Sequence, residues 1–380
     1  MDKEKQILSL IKANPFITQN ELSAQLGLSR SAVAGYISAL VRKGSIIGRA
    51  YVLPKEASIV CIGGANVDRK AHCLGPFRLR ESNPAAIAHS CGGVARNIAE
   101  NLGRLGSAVS LITLVGNDNE GKWLLAETKT YGVDVSQAIE LPNARTGTYT
   151  AILDDRNDMI AAVADMQIYD SFSTDMLQSK WPHIAAGERI VADTNLPAEL
   201  IRYLVERCRD DSRSLCINTV SAAKTTRLPE DLRGVDMIFC NRHEAGALAG
   251  IPVEDQDGCK DAWKRISARG VRKIVITLGE QGLFWAEADN DADTEADPAS
   301  EAGRYGYVRP HKVNVVDVTG AGDALMAGVI FGLAQGEPFA TACRLGTAAA
   351  ALTVQTNRTV ADLNAELLYE TMAQHQTEGL

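Results

Sequence analysis

No apolar run in the sequence reaches the roughly 18 residues that a membrane-spanning helix needs. The first residues, MDKEKQILSLIK, intersperse charges among apolar side chains and do not have the form of a signal peptide. The eight cysteines are dispersed and form no C-x-x-C pair, which argues against a zinc site or a disulfide framework. We therefore expect a cytoplasmic protein with reduced thiols and no membrane partner.

Two common nucleotide-binding motifs are also missing. The P-loop pattern G-x-x-x-x-G-K-[ST] does not occur, and the first predicted strand is followed by GGANVD (63–68) instead of G-x-G-x-x-G. The chain is therefore not a P-loop enzyme, and a dinucleotide-binding function loses its main support.

The charge is unevenly distributed. Residues 1–56 carry eight lysines and arginines against four acids, a net of +4, whereas the whole chain of 380 residues has a net charge of −8. The remainder, residues 57–380, is therefore at −12. A basic segment before an acidic one indicates two domains with two functions, residues 1–56 and residues 57–380.

The first domain has three consecutive helical patterns: EKQILSLIKAN, TQNELSAQLG and SRSAVAGYISALVRKG. Thr18 and Glu21 form a T-x-x-E capping box, and SIIGRAYVL is expected to be a short β-hairpin. This resembles a winged helix-turn-helix DNA-binding domain. The resemblance implies that the third helix and the hairpin contact DNA, through Ser29, Arg30, Ser31, Tyr36 and Arg49. The alternative is that the same fold serves for dimerisation or docking.

From Ser58 onward, short β-branched apolar runs alternate with helical patterns. Such runs are typical of strands buried on both faces, and the alternation predicts βαβ units around a mostly parallel sheet. TGTYTAILDDRNDMIAAVADM instead alternates like an antiparallel hairpin. With residues 69–90, the segment 145–167 is expected to form a small β lid. Ligands of such α/β sheets bind at the carboxyl ends of the strands.

DVTGAGDA (317–324) lies where an apolar strand-like run meets an apolar helical one. Gly320, Ala321 and Gly322 allow the backbone to approach a ligand, and the amides of a helix N-terminus bind anions. Asp323 in the first turn is then placed to accept a proton from an attacking hydroxyl. The alternative is that Asp323 only caps the helix.

Three further motifs follow predicted strands. In GGANVD, Asp68 is expected to bind a vicinal diol such as that of ribose, unless it is a simple turn residue. In CGGVARNIAENLGRLG (91–106), Gly92, Gly93 and Asn97 are expected to contact the same ligand, and Arg96 and Glu100 are expected to be a surface pair. In NRHE (241–244), Glu244 is a candidate for hydrated Mg²⁺, in competition with a capping pair with Asn241.

Together these motifs show that residues 58–370 resemble the ribokinase-like (PfkB) family of sugar and nucleoside kinases, whose two signatures appear as GGVARNIA (92–99) and DVTGAGD (317–323). The resemblance implies a three-layer α/β/α fold, ATP and Mg²⁺ as cofactors, and Asp323 as general base beside an anion hole of Gly320, Ala321 and Gly322. Family members often bind K⁺ there, with Asp317 and the carbonyl of Thr319 as the implied ligands. A homodimer is also expected.

The same resemblance assigns the binding residues. The substrate is expected to be held by Asn66, Asp68, Gly92, Gly93, Asn97, Thr148 and Asp165. ATP is expected to contact Lys224, Asn241, Thr277, Gly279 and Gly282, with Glu244 reaching Mg²⁺ through water. For Lys224, a surface position with no ligand is an equal alternative.

Several runs, including SNPA (82–85), DTNLP (193–197) and ALTVQTNRTV (351–360), are similar to those of the pseudouridine kinases within this family. The implied activity is ATP-dependent phosphorylation of the 5′-hydroxymethyl group of pseudouridine. Two alternatives stay open. One is a kinase for inosine, cytidine, uridine or a free sugar, and the other is a transcriptional regulator that senses a nucleoside without converting it.

Overall fold

The computed structural model describes residues 3–48, 58–156, 158–288 and 303–377. Within these ranges the helices are α1 (Lys3–Ala13), α2 (Gln19–Leu26), α3 (Arg30–Arg42), α4 (Val94–Arg104), α5 (Asn119–Thr130), α6 (Thr174–Ala186), α7 (Ala198–Asp210), α8 (Arg242–Ala249), α9 (Gln256–Ser267), α10 (Ala321–Ala334), α11 (Phe339–Val354) and α12 (Ala365–Thr377). The strands are β1 (Ile59–Ile62), β2 (Asn66–Cys73), β3 (Ala85–Gly92), β4 (Val109–Ile112), β5 (Leu114–Gly116), β6 (Val133–Asp134), β7 (Ile139–Leu141), β8 (Thr148–Leu153), β9 (Met159–Asp165), β10 (Arg189–Asp193), β11 (Ser214–Asn218), β12 (Met237–Asn241), β13 (Lys273–Thr277), β14 (Leu283–Glu287) and β15 (Arg304–Val308).

The three N-terminal helices form a domain with its own core. Thr18 and Glu21 make the expected capping box at α2, and the Ser29 side chain caps α3. One apolar cluster holds the helices together, and its members are Ile7, Ile11, Ile17, Leu22, Val33, Ile37, Leu40 and Ile46. Most of the hairpin expected over 45–53, including Arg49, lies outside the described residues.

The N-terminal domain contacts the rest of the chain at the end of α3. Gly44 packs so closely on the backbone of Ala185 and Ala186 that a Cβ would collide with it. Arg213 donates a hydrogen bond to the carbonyl of Lys43. The carboxyl-terminal end of α3 therefore packs against α6. The amino-terminal end of α3 lies at the other end of the helix, away from this contact.

A nine-stranded sheet forms the middle of the body, in the order β15-β14-β13-β12-β11-β10-β1-β4-β6. The strands from β13 to β6 are parallel, and β14 and β15 add an antiparallel edge. Successive side chains enter two different apolar clusters, because helices cover both faces: Ile59 and Cys61 join one cluster, and Val60 and Ile62 the other. The three-layer fold with a mostly parallel sheet is confirmed.

A second sheet has four strands in the order β3-β2-β8-β9, drawn from the two segments expected to form a lid. SIVCIGGANV (58–67) is the first of the strand-like apolar runs after Ser58, and the structure divides it between two strands. The break lies at Gly63–Ala65, so β1 ends in the large sheet and β2 begins in the small one. The break places Asp68 on a strand of the small sheet and not on the turn after β1.

No helix in the described ranges is long and apolar enough to cross a membrane. The eight cysteines all lie in these ranges, and each is buried and without a disulfide partner.

Candidate active site

The N-terminus of α10 offers open space beside unpaired amides. Gly320 caps the helix in the left-handed conformation with φ of 81°, and a Cβ there would collide with the Thr359 carbonyl. Both constraints favour glycine at this position. A Cβ on Gly322 would meet no atom within 4 Å. Because the first amides of a helix lack intrahelical partners and attract anions, this space can receive a phosphoryl group.

Asp323 lies in the first turn of α10 and is 9% exposed. Its Oδ2 accepts a hydrogen bond of 2.9 Å from Asn97 Nδ2, which joins α10 to α4. Burial raises the pKa of Asp323 to about 7, and although the Asn97 hydrogen bond opposes this shift, the charges of Asp193 and Asp68 add to it. A carboxyl group with this pKa can accept a proton at neutral pH.

Asp68 and the Gly92–Gly93 pair form the wall next to Asp323. A Cβ on Gly92 would collide with the Asp68 carboxylate, and one on Gly93 with the backbone of Gly64 and Ala65. Asn66 Nδ2 donates to Asp68 Oδ1 at 2.5 Å. Burial raises the pKa of Asp68. The structure therefore groups Asn66, Asp68, Gly92, Gly93, Asn97 and Asp323.

Two buried residues that the sequence analysis did not assign hold this wall in place. Asp193, at the end of β10, accepts hydrogen bonds from the amides of Gly64 at 2.8 Å and Ala95 at 2.9 Å. The Tyr169 hydroxyl accepts from the Ala65 amide at 2.5 Å and donates to the Ala65 carbonyl at 2.7 Å. The position of Asp193 directly after the apolar run RIVA was the available sequence signal.

Four residues expected to contact ATP lie together at the ends of two neighbouring strands. Asn241 on β12 is directly paired with Thr277 on β13. Gly279 and Gly282 flank the turn that follows, with φ of 59° and 88°. These backbone angles favour glycine, so the turn keeps a surface without side chains next to Asn241 and Thr277.

Glu244 takes part in the capping pair that competed with magnesium binding in the sequence analysis. Its Oε2 accepts from the Asn241 amide at 2.8 Å and from the Thr219 hydroxyl at 2.7 Å, and its Oε1 accepts from Asn241 Nδ2 at 2.8 Å. The side chain is buried. Since Oε1 has a second lone pair, the arrangement fits a hydrated Mg²⁺ through an intervening water but not direct coordination.

Lys224 is half-buried beside the strand ends. Its ammonium donates to Asn195 Oδ1. Burial lowers the pKa of Lys224, and the nearby Asp193 opposes that shift. The lysine, which follows β11, therefore binds the turn after β10 and lies next to the wall that Asp193 supports.

Thr148 and Asp165 are separated from Asp68 by the register of the small sheet. Thr148 pairs with Val67 and with Asp165, whereas Asp68 pairs with Tyr149. Because successive side chains of a strand alternate between faces, Thr148 and Asp165 lie on the face opposite Asp68. This register argues against the expected substrate contacts of Thr148 and Asp165, and Tyr149 is the β8 residue that shares the Asp68 face.

Arg96 and Glu100 are not the surface pair expected from their spacing. Their side chains are 3% and 4% exposed and form an ion pair. Glu100 also binds Arg104 at 2.7 Å, and Arg104 binds Asp362 at 2.7 Å. Arg96 Nη1 donates to Asn97 Oδ1 at 3.2 Å. This contact directs the amide nitrogen of Asn97 toward Asp323.

Asp317 and Thr319 lie just before α10 and contact each other, and the Asp317 amide contacts the last residue of α11. Asp317 Oδ1 accepts from the Thr319 amide at 2.9 Å and hydroxyl at 2.6 Å. The Val354 carbonyl accepts from the amides of Val316 and Asp317. The other carboxylate oxygen of Asp317 binds Lys70 Nζ at 3.2 Å, an ion pair that the sequence analysis missed.

The residues expected to contact DNA lie around the start of α3. Ser29, Arg30 and Ser31 are exposed. Tyr36 packs partly against the core of the N-terminal domain, so only part of its ring is accessible.

Comparison with known proteins agrees with this geometry. Residues 56–366 match the model of the pfkB family of carbohydrate kinases, and residues 2–47 match a winged helix-turn-helix DNA-binding model. The uncharacterized sugar kinase YeiI of Escherichia coli (strain K12) is 29% identical over 92% of this chain and 93% of its own length. That alignment is longer than the body and therefore extends into the N-terminal domain.

Pseudouridine kinase of Escherichia coli (strain K12) is 30% identical over 75% of this chain and 87% of its own length. Among solved structures, Arabidopsis thaliana ribokinase complexed with ribose and ATP superimposes with a TM-score of 0.71 at 19% identity, covering 84% of this chain and 99% of that one. The family match spans most of the body. The chain therefore belongs to the pfkB family of carbohydrate kinases and carries an N-terminal winged helix-turn-helix domain.

Proposed function

We propose that this chain transfers the γ-phosphoryl group of ATP to the 5′-hydroxyl of a nucleoside, and that the nucleoside is pseudouridine. The observation that carries the reaction is the buried Asp323, with its raised pKa, at the open N-terminus of α10. The 30% identity to a pseudouridine kinase supports the choice of acceptor.

In the proposed mechanism, Asp68 accepts hydrogen bonds from the ribose hydroxyls and so places the 5′-hydroxyl next to Asp323. Asp323 takes the hydroxyl proton as the oxygen attacks the γ-phosphorus, and the bond from that phosphorus to the β,γ-bridging oxygen breaks to release ADP. The expected anion hole of Gly320, Ala321 and Gly322 is proposed to hold the phosphoryl oxygens. Because the Ala321 amide already donates to the Val318 carbonyl at 3.2 Å, the donors are the next two amides of the helix, those of Gly322 and Asp323. Mg²⁺, when bound with ATP, neutralises phosphate charge, and Glu244 would hold one of its waters.

Hydrogen bonds hold the wall around the proposed sugar site in place, which favours this kind of catalysis. Asp193 and Tyr169 fix the Gly63–Ala65 turn through backbone hydrogen bonds. Arg96 fixes Asn97, and Asn97 fixes Asp323. Phosphoryl transfer depends mainly on positioning and charge stabilisation, so a preorganised wall contributes directly to rate. The small sheet, which carries Asp68 and Tyr149, is proposed to act as the lid over this site.

The test is a panel of acceptors assayed for ADP release with ATP and Mg²⁺. We expect pseudouridine to have the highest kcat/KM among pseudouridine, uridine, cytidine, inosine and ribose. A preference for another member would retain the mechanism and reassign the acceptor. Binding of pseudouridine with no ADP release would contradict the enzyme and favour a regulator that senses the nucleoside.

We also infer that the N-terminal domain binds DNA. The supporting observation is that its contact with the body uses Lys43 and Gly44, at the far end of α3 from the exposed residues 29–31. The exposed start of α3 is therefore available to a major groove while the domain is attached to the body.

Removal of the Arg30 side chain should lower the affinity for DNA and make that affinity less dependent on salt concentration. Fluorescence anisotropy with a duplex from upstream of the chain's own coding sequence, measured over a range of salt, should give a slope of log K against log salt that is smaller by about 1 for Arg30→Ala. Arg202→Ala also removes one positive charge, from an exposed position on α7, and serves as the control. Equal slopes for both variants and the unmodified chain would contradict the assignment of Arg30.

A further inference from the structure

Lys70 and Asp317 are 247 positions apart in sequence, yet their side chains meet beside the phosphate-binding end of α10. Lys70 lies on β2, two residues beyond Asp68, so both side chains leave the same face of the small sheet. Asp317 lies three residues before Gly320. The ion pair of 3.2 Å thus joins the small sheet to the turn that leads into α10.

The resemblance to the family implied that Asp317 binds K⁺. A K⁺ site needs several oxygen ligands and no competing positive charge. A backbone oxygen is near, because the Thr359 carbonyl lies against Gly320, whereas the Val354 carbonyl beside Asp317 already accepts from two amides. The charge around Asp317 does not suit K⁺, because the Asp317 carboxylate is already paired with the Lys70 ammonium group. Two unit positive charges about 4 Å apart repel by about 4 kcal/mol at the effective dielectric typical of a protein surface. The residues present therefore do not fit K⁺ at Asp317.

We propose that the Lys70 ammonium is a built-in replacement for the monovalent cation, so that phosphoryl transfer by this chain does not depend on K⁺. This inference rests on the proposed kinase function. A fixed ammonium at Asp317 neutralises that carboxylate close to where the incoming phosphoryl group brings negative charge. It also holds the 317–319 turn, which sets the start of α10 and hence the amides at Gly322 and Asp323.

The first test compares ADP release in K⁺ with release in Na⁺ at equal ionic strength. The unmodified chain should give the same rate in both. Lys70→Met leaves the Asp317 carboxylate and the nearby backbone oxygen without a cation, so its activity should fall in Na⁺ and recover about tenfold in K⁺. Lys70→Arg keeps the charge and should remain insensitive to K⁺.

Arg69→Met is the matched control for the first test. Arg69 is the neighbouring residue on β2, but it points to the other face and pairs with Glu120 at 3.0 Å. Its loss should create no response to K⁺. A dependence of the unmodified chain on K⁺, or a Lys70→Met variant with equally low activity in both salts, would overturn the proposal.

A second test needs no substrate. Because a ligand that binds the folded state raises the melting temperature, Lys70→Met should melt at a higher temperature in K⁺ than in Na⁺, whereas the unmodified chain should not. A shift in the unmodified chain, or none in the variant, would overturn the inference. If the unmodified chain phosphorylates no acceptor, the proposed function fails, but the melting comparison still decides whether Lys70 takes the place of the cation.

Discussion

Asp323→Asn should lower kcat by about 10²–10⁴-fold and leave nucleoside binding nearly unchanged. The substitution keeps the size of the side chain and its ability to accept the hydrogen bond from Asn97, but it removes the proton acceptor. Single-turnover ADP release and calorimetric titration with pseudouridine measure the two quantities. Loss of nucleoside binding in parallel with kcat would show that Asp323 is structural.

The same variant should be more stable than the unmodified chain at pH 8. The pKa of Asp323 is raised from 3.8 to about 7 in the folded protein. At a pH between these two values, the folded state therefore holds a proton that the unfolded chain has released. Stability due to this group therefore falls as the pH rises from about 4 to about 7. The advantage of Asp323→Asn should grow over that window to at most about 4 kcal/mol.

A series of urea denaturation curves at pH 5, 6, 7 and 8 measures this advantage. Asp118→Asn is a suitable comparison, because hydrogen bonds from Thr146 and Gly121 hold the pKa of Asp118 below its usual value even though burial acts to raise it. For that variant the sign reverses, and the loss of the carboxylate should destabilise the protein at neutral pH. An advantage of Asp323→Asn that is constant with pH would contradict the raised pKa.

Glu100→Ala should lower the free energy of unfolding by about 3–5 kcal/mol, the cost typical of leaving a buried charge without its partner. Glu100 is the shared partner of the buried Arg96 and the nearly buried Arg104. Urea denaturation measures the loss. Activity should fall as well, because Arg96 orients Asn97 against Asp323.

Glu120→Ala is the control for this second substitution. This substitution also removes a glutamate that is paired with an arginine, Arg69, but the Glu120 side chain is 41% exposed. Solvent screens such pairs, so the expected loss is under about 1 kcal/mol. Equal losses for the two variants would show that the Arg96–Glu100–Arg104 group has no special role in stability.

The large sheet and the start of α10 could be predicted because their signals are local. Apolar runs such as RIVAD and RKIVITLG mark buried strands, and the glycines of DVTGAGDA mark a close backbone approach. The apolar run at 313–316, which was expected to be strand-like, is not a strand, and Val315 and Val316 are exposed. The boundary at Gly63–Ala65 was also missed. It depends on Asp193 and Tyr169, whose hydrogen bonds to this turn span more than 100 positions.

The remaining differences come from register and from tertiary contact. A one-residue offset along β8 decides whether Thr148 or Tyr149 shares a face with Asp68, and no short sequence pattern fixes it. The i,i+4 spacing of Arg96 and Glu100 occurs in exposed and in buried ion pairs, so it does not distinguish between them. Their burial follows from contacts such as that of Arg96 with Thr128 on α5. Lys70 and Asp317 carry no shared sequence signal at all.

³¹P nuclear magnetic resonance of the product formed from pseudouridine, ATP and Mg²⁺ tests the proposed phosphoryl transfer. Transfer to the 5′-hydroxyl should give one new phosphomonoester signal, coupled to the two 5′-methylene protons, in amounts equal to the ADP released. Inorganic phosphate as the only new signal, or a phosphate coupled to a ring proton of the ribose, would contradict transfer to the 5′-hydroxyl by Asp323.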